Sequence, residues 1–280
     1  MKLENKEING NFFLKKNRIF SAKEFKQDFL KEGLNVYEVI RVLDNIPLFL
    51  EDHCERFANS LKGKGLDYHC DRKELGHMLD ELIDRNSLSY GNVKIVFHAG
   101  PHNDSYIIMY PVKHVYPTQK DYEKGVSVCI INEDRPDPEF KHWRPHFKQR
   151  VKEIKSEKGV YEVILLNQEG AITEGSQTNL FLIRDDQIIS AKSEKILPGI
   201  TRKYVYEICE REGIPVIEID YGPENLHDYS SAFLSGTSPK ILPIRTMDSF
   251  VFNPEHPLLR KLMLRYDEII RKYIGKKQKQ

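Results

Sequence analysis

Short runs of β-branched and aromatic residues alternate along the chain with segments whose apolar positions recur three and four apart, and these two periods predict its elements. From Tyr37 to Val42 the run YEVIRV reads as a strand, Asp44-Asn45 as a turn and Pro47-Leu48-Phe49-Leu50 as the returning arm of a hairpin. In EDHCERFANSLKGKGL, which follows, Cys54, Phe57, Ala58 and Leu61 share one helical face, the acids Glu51 and Asp52 open the helix, and Gly63 and Gly65 mark its end. A second helix is predicted over about Arg72 to Arg85, with Leu75, Met78, Leu79 and Leu82 on one side. Strands then come in close succession, VKIVFH from Val93, SYIIMY from Ser105 and VSVCII from Val126.

Between the last two strands lies Tyr116-Pro117-Thr118-Gln119-Lys120, polar and marked by proline. It sets an expected boundary between an N-terminal domain of residues 1–117 and a C-terminal domain of residues 118–280. The second half carries a charged helix from about Arg144 to Lys158 and strands at YEVILL, NLFLI and QIIS. A helix after Pro198-Gly199, strands at PVIEI and AFLSG, and a last amphipathic helix from Pro257 to Tyr273 follow. Hairpins mixed with helices predict an α+β, mixed α/β architecture rather than a simple βαβ series.

Composition narrows the function classes. The 280 residues hold 43 basic and 42 acidic side chains, a formal charge of +1, so no global field draws the protein to nucleic acid or to an anionic membrane. The start MKLENKEINGNFF is too polar for a signal peptide, and no apolar run approaches the length of a membrane span. Cys54, Cys70, Cys129 and Cys209 form no CxxC pair and no zinc spacing. The expectation is a cytoplasmic protein with reduced thiols and no bound metal.

Five segments carry candidate chemistry. ITEGSQTNLF, Ile172 to Phe181, sets Glu174 among small polar residues, as a hairpin corner does. In LPGITR, Pro198 and Gly199 precede a helix whose first N–H groups and Thr201 hydroxyl suit an anion, and an ordinary helix start looks the same. Ser235-Gly236-Thr237-Ser238 has the composition of a backbone nest or of a plain turn. His53 and Arg56 lie three apart on one helix face. Lys141 stands before a helix and beside Trp143, the single tryptophan, where desolvation would lower an amine pKa and make it nucleophilic.

Taken in order, these segments resemble the class IV aminotransferase family, the fold-type IV pyridoxal phosphate enzymes that include branched-chain aminotransferases, D-amino acid aminotransferases and aminodeoxychorismate lyases. The likeness runs from about Tyr37 to Ile244. It rests above all on TEG-S-x-x-N-hydrophobic-Phe followed by L-P-G-I-T-R. It implies a two-lobed fold, with a smaller N-terminal α/β sandwich and a larger, β-barrel-like C-terminal lobe, and a homodimer.

The resemblance also implies roles. Lys141 matches the lysine that forms the Schiff base with pyridoxal 5'-phosphate and shuttles the substrate proton, with Lys148 as the alternative. Glu174 matches the acid paired with the pyridine nitrogen. Arg56 matches the phosphate-binding arginine, and Ile200, Thr201, Gly236 and Thr237 match the groups that complete the phosphate cup. Tyr37 matches a substrate-side tyrosine.

Three departures stand out, the first bearing on the choice of lysine and the other two on substrate. KHWRPHFKQR lacks the family's Asn-Tyr-Leu pattern after the lysine. His98-Ala99-Gly100 stands where D-amino acid enzymes carry Thr-Arg-Gly, so the arginine that traps a substrate carboxylate is absent. Glu38 and Val39 follow Tyr37 where lyases place a threonine. The expected function is an aminotransferase acting between an amino acid, branched-chain or otherwise apolar, and a 2-oxo acid. The alternatives are pyruvate elimination from aminodeoxychorismate, or a binding protein on the same fold whose catalytic site has decayed.

Overall fold

The computed structural model describes residues 7–30, 32–68, 71–142 and 144–279. Cys70 and Trp143 lie outside the described residues. The chain divides into two compact units. One takes the chain up to Val115, the short segment Phe140–Trp143 and the stretch from Ile270 onward, and the other takes Tyr116–Glu139 and Arg144–Ile269.

The first unit contains β1 (Phe12–Lys15), β2 (Arg18–Ser21), β3 (Leu34–Leu43), β4 (Ile46–Pro47), α1 (Leu50–Gly63), α2 (Arg72–Asn86), β5 (Tyr90–Ala99) and β6 (Ser105–Val112). Its sheet runs β2-β1-β6-β5-β3-β4 and is antiparallel throughout. Alternation sorts β3 and β5 into two faces, because Val36 pairs with Phe97 and Ile40 with Val93, whereas Tyr37 pairs with Val96 and Val39 with Lys94. The first face packs on Phe57 and Leu61 of α1 and on Leu75, Leu79 and Leu82 of α2. These side chains are almost wholly buried, each contributing about 1.5–3 kcal/mol by leaving water. The opposite face carries Phe13, Phe25, Tyr106 and Tyr110. Asp44 and Asn45 turn the chain from β3 to β4 with φ of 52° and 61°, the left-handed pair of a tight hairpin.

The second unit contains α3 (Gln119–Lys124), β7 (Val126–Asn132), α4 (Pro145–Lys158), β8 (Glu162–Leu166), β9 (Ile172–Gly175), β10 (Asn179–Arg184) and β11 (Gln187–Ser190). There follow α5 (Ile200–Glu212), β12 (Val216–Glu218), β13 (Ser231–Gly236), β14 (Lys240–Met247), β15 (Phe250–Val251) and α6 (Pro257–Lys277), whose residues from Ile270 onward belong to the first unit. The strand order is β12-β11-β10-β13-β14-β7-β8-β9, with β15 against β14. β9 and β10 follow one another in the chain yet share no ladder, because Gly175 to Thr178 closes a corner rather than a hairpin. They remain neighbours, so the sheet curls back on itself around Leu180, Leu182, Ala232, Leu234 and Leu242. The fold is therefore mixed α/β, with an antiparallel sheet in the first unit and a curled, mixed sheet in the second. The last helix runs past Tyr273 to Lys277, held by Tyr273 Oη and Lys277 Nζ, which each donate to the Glu51 carboxylate at 2.7 Å. No helix of the described residues is long and apolar enough to cross a membrane.

Candidate active site

Lys141 is fixed by its backbone to the open edge of β3. Tyr37 N–H donates to the Lys141 carbonyl at 3.0 Å, Val36 and His142 form an antiparallel bridge, and Lys141 N–H donates to Ser60 Oγ on α1 at 3.3 Å. Phe140 packs over Gly63, where any Cβ would collide with its ring. That glycine near the end of α1 therefore makes room for the segment that carries the lysine. Lys141 Nζ stands 5.2 Å from the centroid of the Tyr37 ring. A second ammonium, Lys94 Nζ, stands 5.0 Å from the same ring and pairs with Glu7 at 2.9 Å. Lys148 is exposed on α4.

Arg56 and His53 project from α1 onto Glu38, which shares the buried face of β3 with Val36 and Ile40. Arg56 donates from Nε to Glu38 Oε1 at 2.8 Å and from Nη2 to Oε2 at 2.6 Å, the bidentate fork that suits a guanidinium and a carboxylate. His53 Nδ1 lies 2.8 Å from the same Oε2. Burial opposes a charge on Glu38, but the Arg56 guanidinium and the bonds from Arg56 and His53 outweigh it and hold the carboxyl far below its usual range. His53 is lowered, first by burial and then by Arg56 and Lys141, against the pull of Glu38. Beside the ionised Glu38 carboxylate, Nδ1 is the donor in this contact. Arg56 is a buried, oriented cation, not a surface arginine.

In the second unit Glu174 is 1% exposed, and three donors converge on its carboxylate. Arg135 Nη1 reaches Oε1 at 2.8 Å, while Asn179 Nδ2 and Leu197 N–H both reach Oε2 at 3.1 Å. An acceptor set of this kind suits the ionised acid. The corner beyond it is held by a second buried carboxylate, Glu162 of β8, which accepts from Ser176 Oγ at 2.6 Å, Gln177 N–H at 3.2 Å and Thr178 Oγ1 at 3.3 Å. Gly175 sits directly under this cluster. A Cβ there would collide with the Thr178 hydroxyl and stand 3.1 Å from Cγ of Glu162. The Glu-Gly-Ser order thus follows from sterics: the acid is aimed inward because the next residue leaves space for the carboxylate that pins the corner.

The LPGIT and SGTS segments meet that corner. Asn179 Nδ2 also donates to the Leu197 carbonyl at 2.9 Å, and a Cβ on Gly199 would collide with Asn179 Oδ1. Gly199 is the N-cap of α5 and offers no side-chain cap, so the helix begins at Ile200 and Thr201 with its first N–H groups uncapped. Thr201 Oγ1 lies 3.2 Å from Tyr266 Oη. Ser235 is the cross-strand partner of Asn179, and its fully buried Oγ has no partner among the described residues. A Cβ on Gly236 would lie 3.4 Å from the Thr178 methyl, and Thr237 follows in the turn. An uncapped helix N-terminus, a buried unsatisfied hydroxyl and a buried carboxylate in one place form a donor and acceptor set that fits a phosphorylated pyridine.

The structure thus brings Lys141 and Tyr37 together in the first unit, with Arg56 on Glu38 across β3 from Tyr37, and it places Glu174, Ile200, Thr201, Gly236 and Thr237 in the second. Sequence reasoning missed Arg135, Asn179, Glu162 and Lys94. Asn179 stood inside the quoted motif and was the one with a signal; Arg135 lies 39 residues from its partner and had none.

Comparison with known proteins identifies the family. The family model described as amino-transferase class IV matches residues 35–247. The chain is 26% identical to a D-alanine aminotransferase of Bacillus licheniformis over 226 residues, 77% of this chain and 80% of that protein. It is 25% identical to an aminodeoxychorismate lyase of Bacillus subtilis over 285 residues, 96% of each. A branched-chain aminotransferase structure from Thermoproteus uzoniensis superposes with a TM-score of 0.82 at 24% identity, covering 95% of this chain and 98% of that one. A family-model match over most of the chain makes it a member of the class IV aminotransferases, enzymes that use pyridoxal 5'-phosphate.

Proposed function

We propose that this aminotransferase transfers the amino group of an amino acid with an apolar, branched-chain side chain to a 2-oxo acid. The observation that carries the reading is Glu174, a buried carboxylate held by Arg135, Asn179 and Leu197 at the start of an uncapped helix. Pyridoxal 5'-phosphate, when bound, supplies an aldehyde for the amino nitrogen and a ring that takes up the electron pair left when the Cα–H bond breaks. Glu174 accepts a hydrogen bond from the protonated ring nitrogen and keeps that proton in place. Ile200 and Thr201 N–H, the Thr201 hydroxyl and the Gly236-Thr237 turn of the second unit would hold the phosphate, and Arg56 of the first, oriented by Glu38 and His53, would offer a fixed positive charge. Lys141 Nζ would hold the cofactor's aldehyde and would take the proton from Cα. Tyr37 borders that amine on the substrate side.

The apolar donor is supported by Ala99, which packs with the apolar cluster of the first unit where an arginine would hold a carboxylate in D-amino acid enzymes. The reading includes a domain boundary at residues 117/118, a homodimer, and a reducing, cytoplasmic setting for the thiols of Cys54, Cys129 and Cys209, which are free. Purified protein incubated with the cofactor should develop a visible absorption band that Lys141→Ala loses and Lys148→Ala keeps. Protein that stays colourless refutes the reading. The lyase relative spans 96% of both chains and favours a second reaction, elimination of pyruvate. Pyruvate released from aminodeoxychorismate with no amino acceptor present identifies it.

A further inference from the structure

Glu162 lies on β8 between β7, where it pairs with Val128, and β9, and it faces the corner that separates Glu174 from its donor Asn179. It is 2% exposed, and donors take up both oxygens of its carboxylate. Oε1 accepts from Ser176 Oγ at 2.6 Å and from Val163 N–H at 2.8 Å, and Oε2 accepts from Gln177 N–H at 3.2 Å and from Thr178 Oγ1 at 3.3 Å. Glu38 and Glu174 each face an arginine, whereas no cation pairs with Glu162 among the described residues, so its bonds go to the corner and to its own strand. Closing the turn does not require them. Gly175 N–H already donates to the Thr178 carbonyl at 2.8 Å, and Ser176 N–H to the Val163 carbonyl at 2.9 Å. Burying a carboxylate is costly, and what this one adds is orientation. The residues it grips, Ser176 to Thr178, set the reach from Glu174 Oε2 to Asn179 Nδ2, 3.1 Å, from a rigid strand.

Resting on the aminotransferase reading, we propose that Glu162 is the positioning residue for Glu174. It holds the corner so that the acid stays against Asn179 and presents one fixed acceptor to the cofactor's ring nitrogen. Glutamine at this position keeps the shape and loses the grip. Both carboxylate oxygens accept a backbone N–H, so whichever way the amide is turned its NH2 group meets the N–H of Val163 or of Gln177, and one bond is lost.

The test uses full-length protein as wild type, Glu162→Gln, Ser176→Ala and Gln177→Ala, with circular dichroism to verify folding. Dissociation constants are measured by equilibrium dialysis for pyridoxal 5'-phosphate and for its analogue with C–H in place of the ring nitrogen, which offers Glu174 no N–H. Wild type should prefer the natural cofactor. In Glu162→Gln, affinity for pyridoxal 5'-phosphate should fall about tenfold while affinity for the analogue stays, so that the preference shrinks or disappears. Ser176→Ala should lose the preference in part. Gln177→Ala, with an exposed side chain and a surviving backbone donor, should match wild type. Equal losses for both compounds mark a corner that is merely structural and overturn the proposal. Unchanged constants in a folded Glu162→Gln, or a Gln177→Ala that loses the preference, overturn it too. Should Glu162→Gln not fold, Ser176→Ala with the wild-type preference overturns it. Wild type that binds both compounds alike overturns it while cofactor binding stands, and wild type that binds neither overturns it together with the reading on which it rests.

Discussion

Asn179 donates one amide nitrogen to two acceptors, the carboxylate of Glu174 at 3.1 Å and the carbonyl of Leu197 at 2.9 Å. A single planar group thereby fixes the acid relative to the entrance of α5, and Gly199, pressed against the oxygen of the same amide, locks it from the other side. Asn179→Asp keeps the shape but sets a carboxylate against a carboxylate. Cofactor affinity, read by absorbance titration, is expected to fall at least about a hundredfold, near 2.7 kcal/mol. Asn179→Ala, which removes the donor without adding charge, should fall less.

Arg135 and Glu174 form a buried pair, with side-chain exposures of 12% and 2%. Removing one partner leaves the other charged and unmatched. Arg135→Met should lose about 3 kcal/mol in urea unfolding of the cofactor-free protein. The double variant Arg135→Met with Glu174→Gln should recover part of that loss, and a purely additive double variant would show that the pair is not coupled.

The Glu38–His53–Arg56 set gives stability a definite dependence on pH. Folded His53 resists protonation, whereas the unfolded ring takes up a proton near the ordinary imidazole value of about 6.5, so stability falls as pH drops through that region. Glu38, held far below 4.5, and Glu218, pulled down to about 2 by its bonds from Tyr206, Ser193 and Arg202 against burial, contribute stability that is present above about 4.5 and lost on further acidification. Urea unfolding at pH 8 and 7 should agree closely, and at pH 5.5 should be weaker. In His53→Gln the slope between pH 7 and 5.5 should flatten, whatever the absolute stability.

Gly199 has ordinary helical-entry dihedrals, φ −67° and ψ 139°, so alanine there tests space and not backbone freedom. Gly199→Ala should cost about 1–3 kcal/mol through its collision with Asn179 Oδ1. It should weaken the cofactor as well, because the relief must come from α5 or from Asn179. Retained affinity in a folded Gly199→Ala protein would show that the glycine is not needed for this contact.

The elements with a strong period were legible. Both helices of the first unit, the charged α4 and the α5 that follows Pro-Gly show apolar faces or terminal signals, and β3, β5, β6 and β7 are dense in β-branched residues. β1 and β2 were not seen, since each is four residues long and their turn, Lys16-Asn17, reads as a charged loop although both residues take the left-handed conformation. β14 contains Pro243, which argues against a central strand, yet Pro243 pairs with Phe233 inside the sheet. Glu174 and Arg56 could be found because they sit in contiguous motifs. Arg135, Glu162 and Lys94 could not, because their partners are chosen by topology: Glu162 meets its corner only when β8 and β9 pair, and Lys94 meets Tyr37 only through the alternation of two neighbouring strands.

The edge of β3 is completed by residues from the middle of the chain, with Tyr37 and Val36 bonded to the segment Lys141-His142. A polypeptide cut after Val115 would therefore bare the backbone donors and acceptors beside Tyr37 and leave a ready template for self-association. Dissection of this enzyme into separately expressed halves should yield a sticky, aggregation-prone first fragment. Adding a synthetic peptide spanning residues 138–144 should restore its solubility by strand complementation.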